Sequence, residues 1–304
     1  MNNKPYVLLL GYNSSLPTKN YHPTSQILYL GQEFFLIDCG EGTQVQLLNS
    51  KIKINKINNI LISHLHGDHY YGLIGILSSY QLLGRKNKLQ IFSPKGLKNI
   101  IKEHIKWSNL KFNYPIKFIN LPNKKKKIYN NNIKIYNFPL KHTIQTFGFF
   151  FKEKKKLKNL NIINVKKIKE IKIKDYIDIK KGKNFIKKNG QIINNNFLTY
   201  KRPPRLSYAF CTDTSYYPKI IKYIKNVDIL YHESTFLKNN SKIAYKKGHS
   251  TSIDAAKIAK KSNAKKLLLG HFSTRYHNFY EFIKEAKTIF PYTIYPKLLK
   301  HYYF

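Results

Sequence analysis

Six residues constrain this chain more than any others: His64-Leu65-His66-Gly67-Asp68-His69. They follow directly on residues 57–62, Ile-Asn-Asn-Ile-Leu-Ile, whose β-branched content predicts a strand. Three imidazoles and a carboxylate in so short a span form a nitrogen and oxygen donor set suited to zinc or a similar divalent ion. Where a strand gives way to a loop, the alternate residues His64 and His66 can face one ion. Asp68 and His69, a step further on, can turn toward a second. Gly67 is expected to permit the tight backbone that this requires. The bland alternative is a chance cluster on a solvated loop. With only 11 histidines in the chain, that alternative is a poor one.

A metal site needs partners from elsewhere, and the ends of later predicted strands supply them. His142 follows the strand expected at 133–138, Asp213 the one at 206–211, and His271 the one at 266–269. Singly, each reads as well as a surface or capping residue. Together with the cluster they complete two metal sites. Further strands are expected at 6–10, 89–92, 116–121, 147–151 and 228–232. Residues 27–30 and 33–37 flank Gly31-Gln32 as a tight hairpin. Helical spacing is expected at 72–83, 94–107, 218–224, 251–261 and 279–290. Two strand-rich halves, each closed by helices, imply an α/β fold with a four-layer αββα sandwich.

Between the halves the composition changes. Residues 152–205 turn to Lys, Asn and Ile with few aromatics, which suggests an inserted, protruding arm. A small hairpin around Asn189-Gly190 is expected within 176–193, and a surface loop is the alternative. The chain has 304 residues and a formal net charge of +40, so acidic substrates and nucleic acid rank first among partners. At 42% hydrophobic and 14% aromatic it is no disordered polycation. Part of the lysine excess reads equally well as drift on solvated faces. Cys39 and Cys211 alone make neither a disulfide scaffold nor a Cys-rich zinc module, so a reducing cytoplasm is the expectation. No apolar run reaches the ~18–20 residues of a membrane-spanning helix, and the opening run 6–10 is too short for a signal peptide.

The chain is similar to the metallo-β-lactamase superfamily and, within it, to the tRNA 3′-processing endonucleases. The resemblance rests on Gly11-Tyr12-Asn13-Ser14-Ser15, Asp38-Cys39-Gly40-Glu41-Gly42, the 63–72 segment, Pro139-Leu140-Lys141-His142 and Asp213-Thr214. His232-Glu233-Ser234-Thr235, His249-Ser250-Thr251 and Gly270-His271-Phe272-Ser273-Thr274-Arg275-Tyr276 follow in the expected order. It implies the αββα metallo-β-lactamase sandwich and two Zn2+ per subunit. His64, His66 and His142 would hold one ion, Asp68, His69 and His271 the other, with Asp213 bridging. Asp68 would also orient the attacking water. His249, polarised by Glu233, would protonate the departing ribose 3′ oxygen, since the family leaves a 3′-hydroxyl on the tRNA. The expected partners are precursor tRNA and a second copy of the chain, with no membrane.

Asp38 is expected to fix a ligand imidazole, with a strand-end cap as the alternative. Arg275 is expected to contact phosphate, with a structural ion pair as the alternative. Two departures from the family pattern stand out: Thr212 replaces a glycine common before the bridging aspartate, and the 174–182 segment lacks the Gly-Pro frequent in the family's arm. A hydrolase of small phosphodiesters or sulfate esters is the runner-up reading. A non-catalytic RNA-binding protein with a decayed site is the third, but no ligand has been lost.

Overall fold

The computed structural model describes residues 4–202 and 204–304. Contacts divide these into two units, Met1–Lys152 with Leu206–Phe304, and Glu153–Arg205. Pro203, within the insert expected at 152–205, lies outside the described residues.

In the first unit, β1 (Tyr6–Gly11), β2 (Ser25–Leu30), β3 (Glu33–Cys39), β4 (Ile57–Leu61), β5 (Leu89–Ser93) and β6 (Ile116–Asn120) alternate with α1 (Thr43–Asn49), α2 (Leu73–Leu82) and α3 (Leu97–Ser108). Gly31 and Gln32 both adopt positive φ, 60° and 66°, which gives the β2–β3 hairpin its tight primed turn. The second half contributes β7 (Lys126–Asn130), β8 (Ile133–Pro139) and β9 (Phe147–Glu153).

The second unit follows, with α4 (Ile162–Lys166), α5 (Tyr176–Lys181), β10 (Phe185–Ile186), β11 (Ile192–Ile193) and α6 (Asn195–Leu198). Val165, Ile171, Ile179 and Leu198 form its own small core. The buried Asn195 amide holds it together, donating to the Ile179 and Lys183 carbonyls at 2.7 Å each. The hairpin around Asn189-Gly190 is shorter than expected. Residues 176–181 are helical instead, stopped by Gly182 at φ 107°.

The first unit resumes with β12 (Ser207–Cys211), α7 (Ile221–Ile224), β13 (Ile229–Glu233), α8 (Ser241–Lys246), α9 (Ser252–Lys261), β14 (Lys266–Gly270), α10 (Tyr280–Lys287), β15 (Thr293–Ile294) and β16 (His301–Tyr303). One seven-stranded sheet runs β16-β1-β2-β3-β4-β5-β6, the other β15-β14-β13-β12-β9-β8-β7. Period-2 alternation builds the layers. Val7 and Leu9 join Phe35, Phe149, Phe151 and Phe210 in the core between the sheets. Leu8 and Leu10 face the other way, into a second core with Leu73, Ile76 and Leu77 of α2. Ala255, Ala259 and Phe282 of α9 and α10 pack against the other sheet. The result is the α/β/β/α layering that the strand and helix order implied.

Several elements differ from the sequence reading: α8, β15 and β16 were not expected, and the helix expected at 218–224 begins as a 3-10 turn, Pro218–Ile220. The helix expected at 94–107 starts at Leu97, because Gly96 adopts φ 111°. β7 went unanticipated: its two lysines mark a solvated sheet edge and disguise the alternation. The short α1 was likewise unanticipated. It leaves Val45 and Leu48 exposed, and Leu48 lines one groove with Leu82 and Leu83 at the end of α2.

A candidate metal centre at the strand ends

β3, β4 and β5 run parallel in one sheet, and β12, β13 and β14 in the other. Ends of parallel strands leave backbone groups and side chains free for ligands. Asp38 is the next-to-last residue of β3, and His64 and His66 follow β4. Asp213 follows β12, Glu233 closes β13 and His271 follows β14. Asp68 and His69 sit in a one-turn 3-10 helix, Gly67–His69.

The structure brings these residues into two groups. In the first, His66 Nδ1 lies 3.1 Å from His64 Nε2 and 3.2 Å from His142 Nε2. Asp213 Oδ2 lies 3.5 Å and 3.6 Å from the same Nε2 atoms of His64 and His142. In the second, His69 Nε2 lies 3.3 Å from His271 Nε2 and 3.5 Å from Asp68 Oδ2. Asp213 Oδ1 lies 3.4 Å from His69 Nε2 and 3.2 Å from His271 Nε2. The two oxygens of one carboxylate thus serve different groups. A tetrahedral ion with bonds of ~2.0–2.1 Å has ligand atoms about 3.3 Å apart, which is the spacing observed around both positions. Lone pairs facing one another at that distance repel unless a cation lies between them. The donor set fits two divalent ions.

The remaining ring nitrogens of His64, His69, His142 and His271 are fixed by hydrogen-bond partners, as metal-ligating imidazoles require. His69 Nδ1 donates to Asp38 Oδ2 at 2.7 Å, and His142 Nδ1 to the Gly248 carbonyl at 2.8 Å. His64 Nδ1 reaches Ser63 Oγ at 3.0 Å, and that hydroxyl donates to Asp38 Oδ2 at 2.8 Å. His271 Nδ1 reaches Thr235 Oγ1 at 2.9 Å, and that hydroxyl donates to Glu233 Oε2 at 2.7 Å. Two hydroxyl relays therefore tie one imidazole of each group to a buried carboxylate. Sequence reasoning assigned no role to Ser63, Thr235 or Gly248. The available signal for Ser63 was its place beside His64, one residue past a strand. Gly248 carried none: its φ of 73° and the 2.9 Å between a would-be Cβ and His142 Nδ1 emerge only on folding.

Gly67 serves differently from the expectation. Its φ is not positive; instead the Tyr71 ring packs where a Cβ would stand, 2.0 Å away. Asp38 (φ 54°), His271 (φ 59°) and Ser15 (φ 58°) are left-handed, an uncommon conformation outside glycine that concentrates at functional sites. Thr212 donates to Asp213 Oδ1 at 2.9 Å, so this departure from the family pattern adds a contact to the shared carboxylate. Asp68 Oδ2 accepts from the Ser15 backbone N–H at 2.8 Å.

Burial keeps His64, His66 and His142 in the neutral form that donates a lone pair, His64 being pushed down to about 3. Burial would do the same to His69, but Asp213, Asp68 and Asp38 outweigh it and push the ring well above its ordinary range. The pocket's field is negative and favours a cation. His249 stands beside the two groups, its ring 4.9 Å from that of His142 and 5.3 Å from that of His271. Its Nδ1 donates to Glu233 Oε1 at 2.9 Å. Burial lowers this imidazole, yet the Glu233 carboxylate overrides it and raises it to about 9. Burial raises the Glu233 carboxyl, but the His249 imidazole outweighs it and holds it below its ordinary range; the carboxylate also accepts from the Thr214 and Thr235 backbone N–H groups at 2.9 and 3.0 Å. Arg275 is exposed, with its guanidinium carbon 4.9 Å from the Phe236 ring centre and Nε donating to Ser273 Oγ at 3.2 Å. Among the described residues it stacks rather than pairing with a carboxylate. Cys39 and Cys211 are buried free thiols outside both groups.

The chain is similar in sequence and in fold to proteins already characterised. A family model described as Anti-Pycsar protein Apyc1 matches residues 6–178. Ribonuclease Z of Bacteroides thetaiotaomicron is 38% identical over 288 residues, covering 94% of this chain and 91% of its own length. Ribonuclease Z of Prochlorococcus marinus is 38% identical over 303 residues, covering 94% and 96%. Among solved structures, human tRNase Z, short form, superposes with a TM-score of 0.70 at 22% identity over 98% of both chains. The metallo-β-lactamase fold protein YhfI of Bacillus subtilis follows with 0.66 at 17% identity, over 96% and 95%. Both structural likenesses show the fold. The chain belongs to the ribonuclease Z family of metallo-β-lactamase-fold proteins, and over residues 6–178 it shares the family model described as Anti-Pycsar protein Apyc1.

Proposed function

We propose that this protein is a zinc-dependent endoribonuclease that removes 3′ trailers from precursor tRNA, leaving a 3′-hydroxyl on the tRNA and a 5′-phosphate on the trailer. One observation carries the reading: Asp213 shares its two oxygens between two three-donor groups, and a carboxylate-paired imidazole stands next to both. His64, His66 and His142 would hold one ion, Asp68, His69 and His271 the other. Bound zinc would supply Lewis-acid polarisation of the phosphate and an acidified water at neutral pH.

The chain's own groups do the rest. Asp68, held by Ser15 N–H, orients the water and accepts its proton. His249 engages Glu233 through Nδ1, so Nε2 is left to protonate the departing 3′ oxygen, a poor leaving group as an alkoxide. Arg275, steadied on Phe236, offers its guanidinium to a phosphate. The net charge of +40 favours a polyanionic substrate, and the lysine-rich unit Glu153–Arg205 offers cationic surface to the tRNA body. We place the enzyme in the cytoplasm as a homodimer; the exposed Val45, Leu48, Leu82 and Leu83 of α1 and α2 would be buried between subunits. Among the described residues no helix is long and apolar enough to cross a membrane.

The test is end-labelled precursor tRNA with and without chelator, with product ends mapped. A single chelator-sensitive cut leaving a 3′-hydroxyl upstream is expected. Cleavage untouched by metal removal, or no cleavage of any precursor, would overturn the reading.

A further inference from the structure

His249 lines a cavity of about 530 Å³ that none of the steps above uses. Two tyrosines shape it, both from segments that also carry site residues. Tyr216 lies three residues beyond Asp213, and Tyr245 lies on α8, four residues before His249. Tyr216 is anchored by α9: the Lys257 and Lys261 ammonium groups lie 5.9 and 6.0 Å from its ring centre, and Lys261 donates to its hydroxyl at 3.2 Å. Tyr245 is 70% exposed, with the Lys141 ammonium 5.5 Å from its ring centre. The Lys141 main chain is held there, its backbone N–H donating to Thr214 Oγ1 at 3.1 Å and its carbonyl accepting from Ser215 at 2.8 Å.

An open aromatic ring, ammonium groups beside it and a cavity large enough for a nucleoside are the parts from which single-stranded nucleic acid sites are made. Every base has a π-face, so stacking binds without reading sequence, while the lysines neutralise flanking phosphate. The position selects which nucleotide. His249 protonates the 3′ oxygen, so the ribose bearing that oxygen lies at its imidazole, and the cavity that opens there receives the base on that ribose.

We propose that Tyr216 and Tyr245 form the base subsite for the nucleotide immediately 5′ of the scissile phosphate, with Tyr245 as its stacking face and Lys141 beside a neighbouring phosphate. The assignment rests on the endonuclease reading. It adds a recognition element for the last nucleotide of the product tRNA, insensitive to which base stands there.

The experiment compares three precursor tRNAs: intact, abasic at the nucleotide 5′ of the cut, and abasic at the nucleotide 3′ of it. Each is cleaved by wild type, Tyr245→Ala and Tyr245→Phe, with circular dichroism verifying the fold of each variant. Tyr245→Ala is expected to lower kcat/KM on the intact substrate roughly ten- to hundredfold, mainly through KM, and Tyr245→Phe to restore most of it. The 5′-abasic substrate should show a similar loss with wild type and little further loss with Tyr245→Ala. An undiminished effect of Tyr245→Ala on the 5′-abasic substrate would overturn the subsite. So would an effect abolished only on the 3′-abasic substrate, or none at all. Wild-type protein that cuts none of the three would overturn the endonuclease reading itself, and the subsite with it.

Discussion

Asp38 offers the sharpest test of the site, because one fully buried carboxylate orders an imidazole in each metal group. Its Oδ2 accepts from His69 Nδ1 and from Ser63 Oγ, and its Oδ1 from the Ser63 backbone N–H at 2.7 Å. In Asp38→Asn the Oδ1 contact survives, but an amide NH2 now faces Ser63 Oγ and His69 Nδ1. Both partners must turn into acceptors. The His69 proton then moves to Nε2, the atom aimed at the second position, and the Ser63 hydroxyl turns toward His64 Nδ1, with the same consequence for the first. Substitution of such an outer group weakens metal binding roughly ten- to hundredfold, and here both positions should suffer. Asn tolerates the left-handed backbone at φ 54°, so the metal-free fold should lose only about 1–3 kcal/mol. Asp38→Ala leaves the Ser63 N–H and His69 Nδ1–H without acceptors and adds backbone strain, together about 3–8 kcal/mol, enough to unfold many domains. Ser63→Ala interrupts only the relay to His64. The assay is metal per chain after dialysis against graded chelator, with thermal melts of the metal-free proteins. The reasoning is refuted if Asp38→Asn retains two ions against the same chelator concentration as wild type.

His249→Ala should keep its metals and its tRNA binding yet lose two to four orders of magnitude in turnover, roughly the contribution of a positioned acid. Because that acid must be protonated and Glu233 raises it to about 9, wild-type turnover should fall as pH rises through about 9. Glu233→Gln should move that limb to lower pH, and an unmoved limb would reassign the donor. Replacing Glu153–Arg205 by a short Gly/Ser linker joins strands already paired at Lys152 and Ser207. Cleavage of bis(p-nitrophenyl) phosphate should survive, while precursor-tRNA affinity falls and its salt dependence flattens; unchanged binding at every salt concentration would show the unit inert. Leu82→Glu, at a residue 87% exposed, should shift sedimentation from dimer to monomer, and an unaltered sedimentation coefficient would move the interface elsewhere.

The donors themselves were legible before folding. A His-x-His-x-Asp-His run behind a strand has few other uses, and His142, Asp213 and His271 each stand two to four residues beyond an apolar run expected to be a strand. The strand at Tyr6–Gly11 was legible too, as a short apolar run, although only packing shows that Val7 and Leu9 face one core and Leu8 and Leu10 another. The Lys-rich edge strand and the fold of Glu153–Arg205 were not, because lysines at a solvated edge and isoleucines without a long period carry no clear local signal. Chain identity decides which atoms are available as donors. Tertiary structure alone decided which oxygen of Asp213 serves which group, that Ser63 and Thr235 relay two imidazoles to buried carboxylates, and that Tyr245 faces a cavity beside His249. Those relations join residues far apart in the chain, as with the 202 positions between His69 and His271, and distance in sequence carries no information about angle in space.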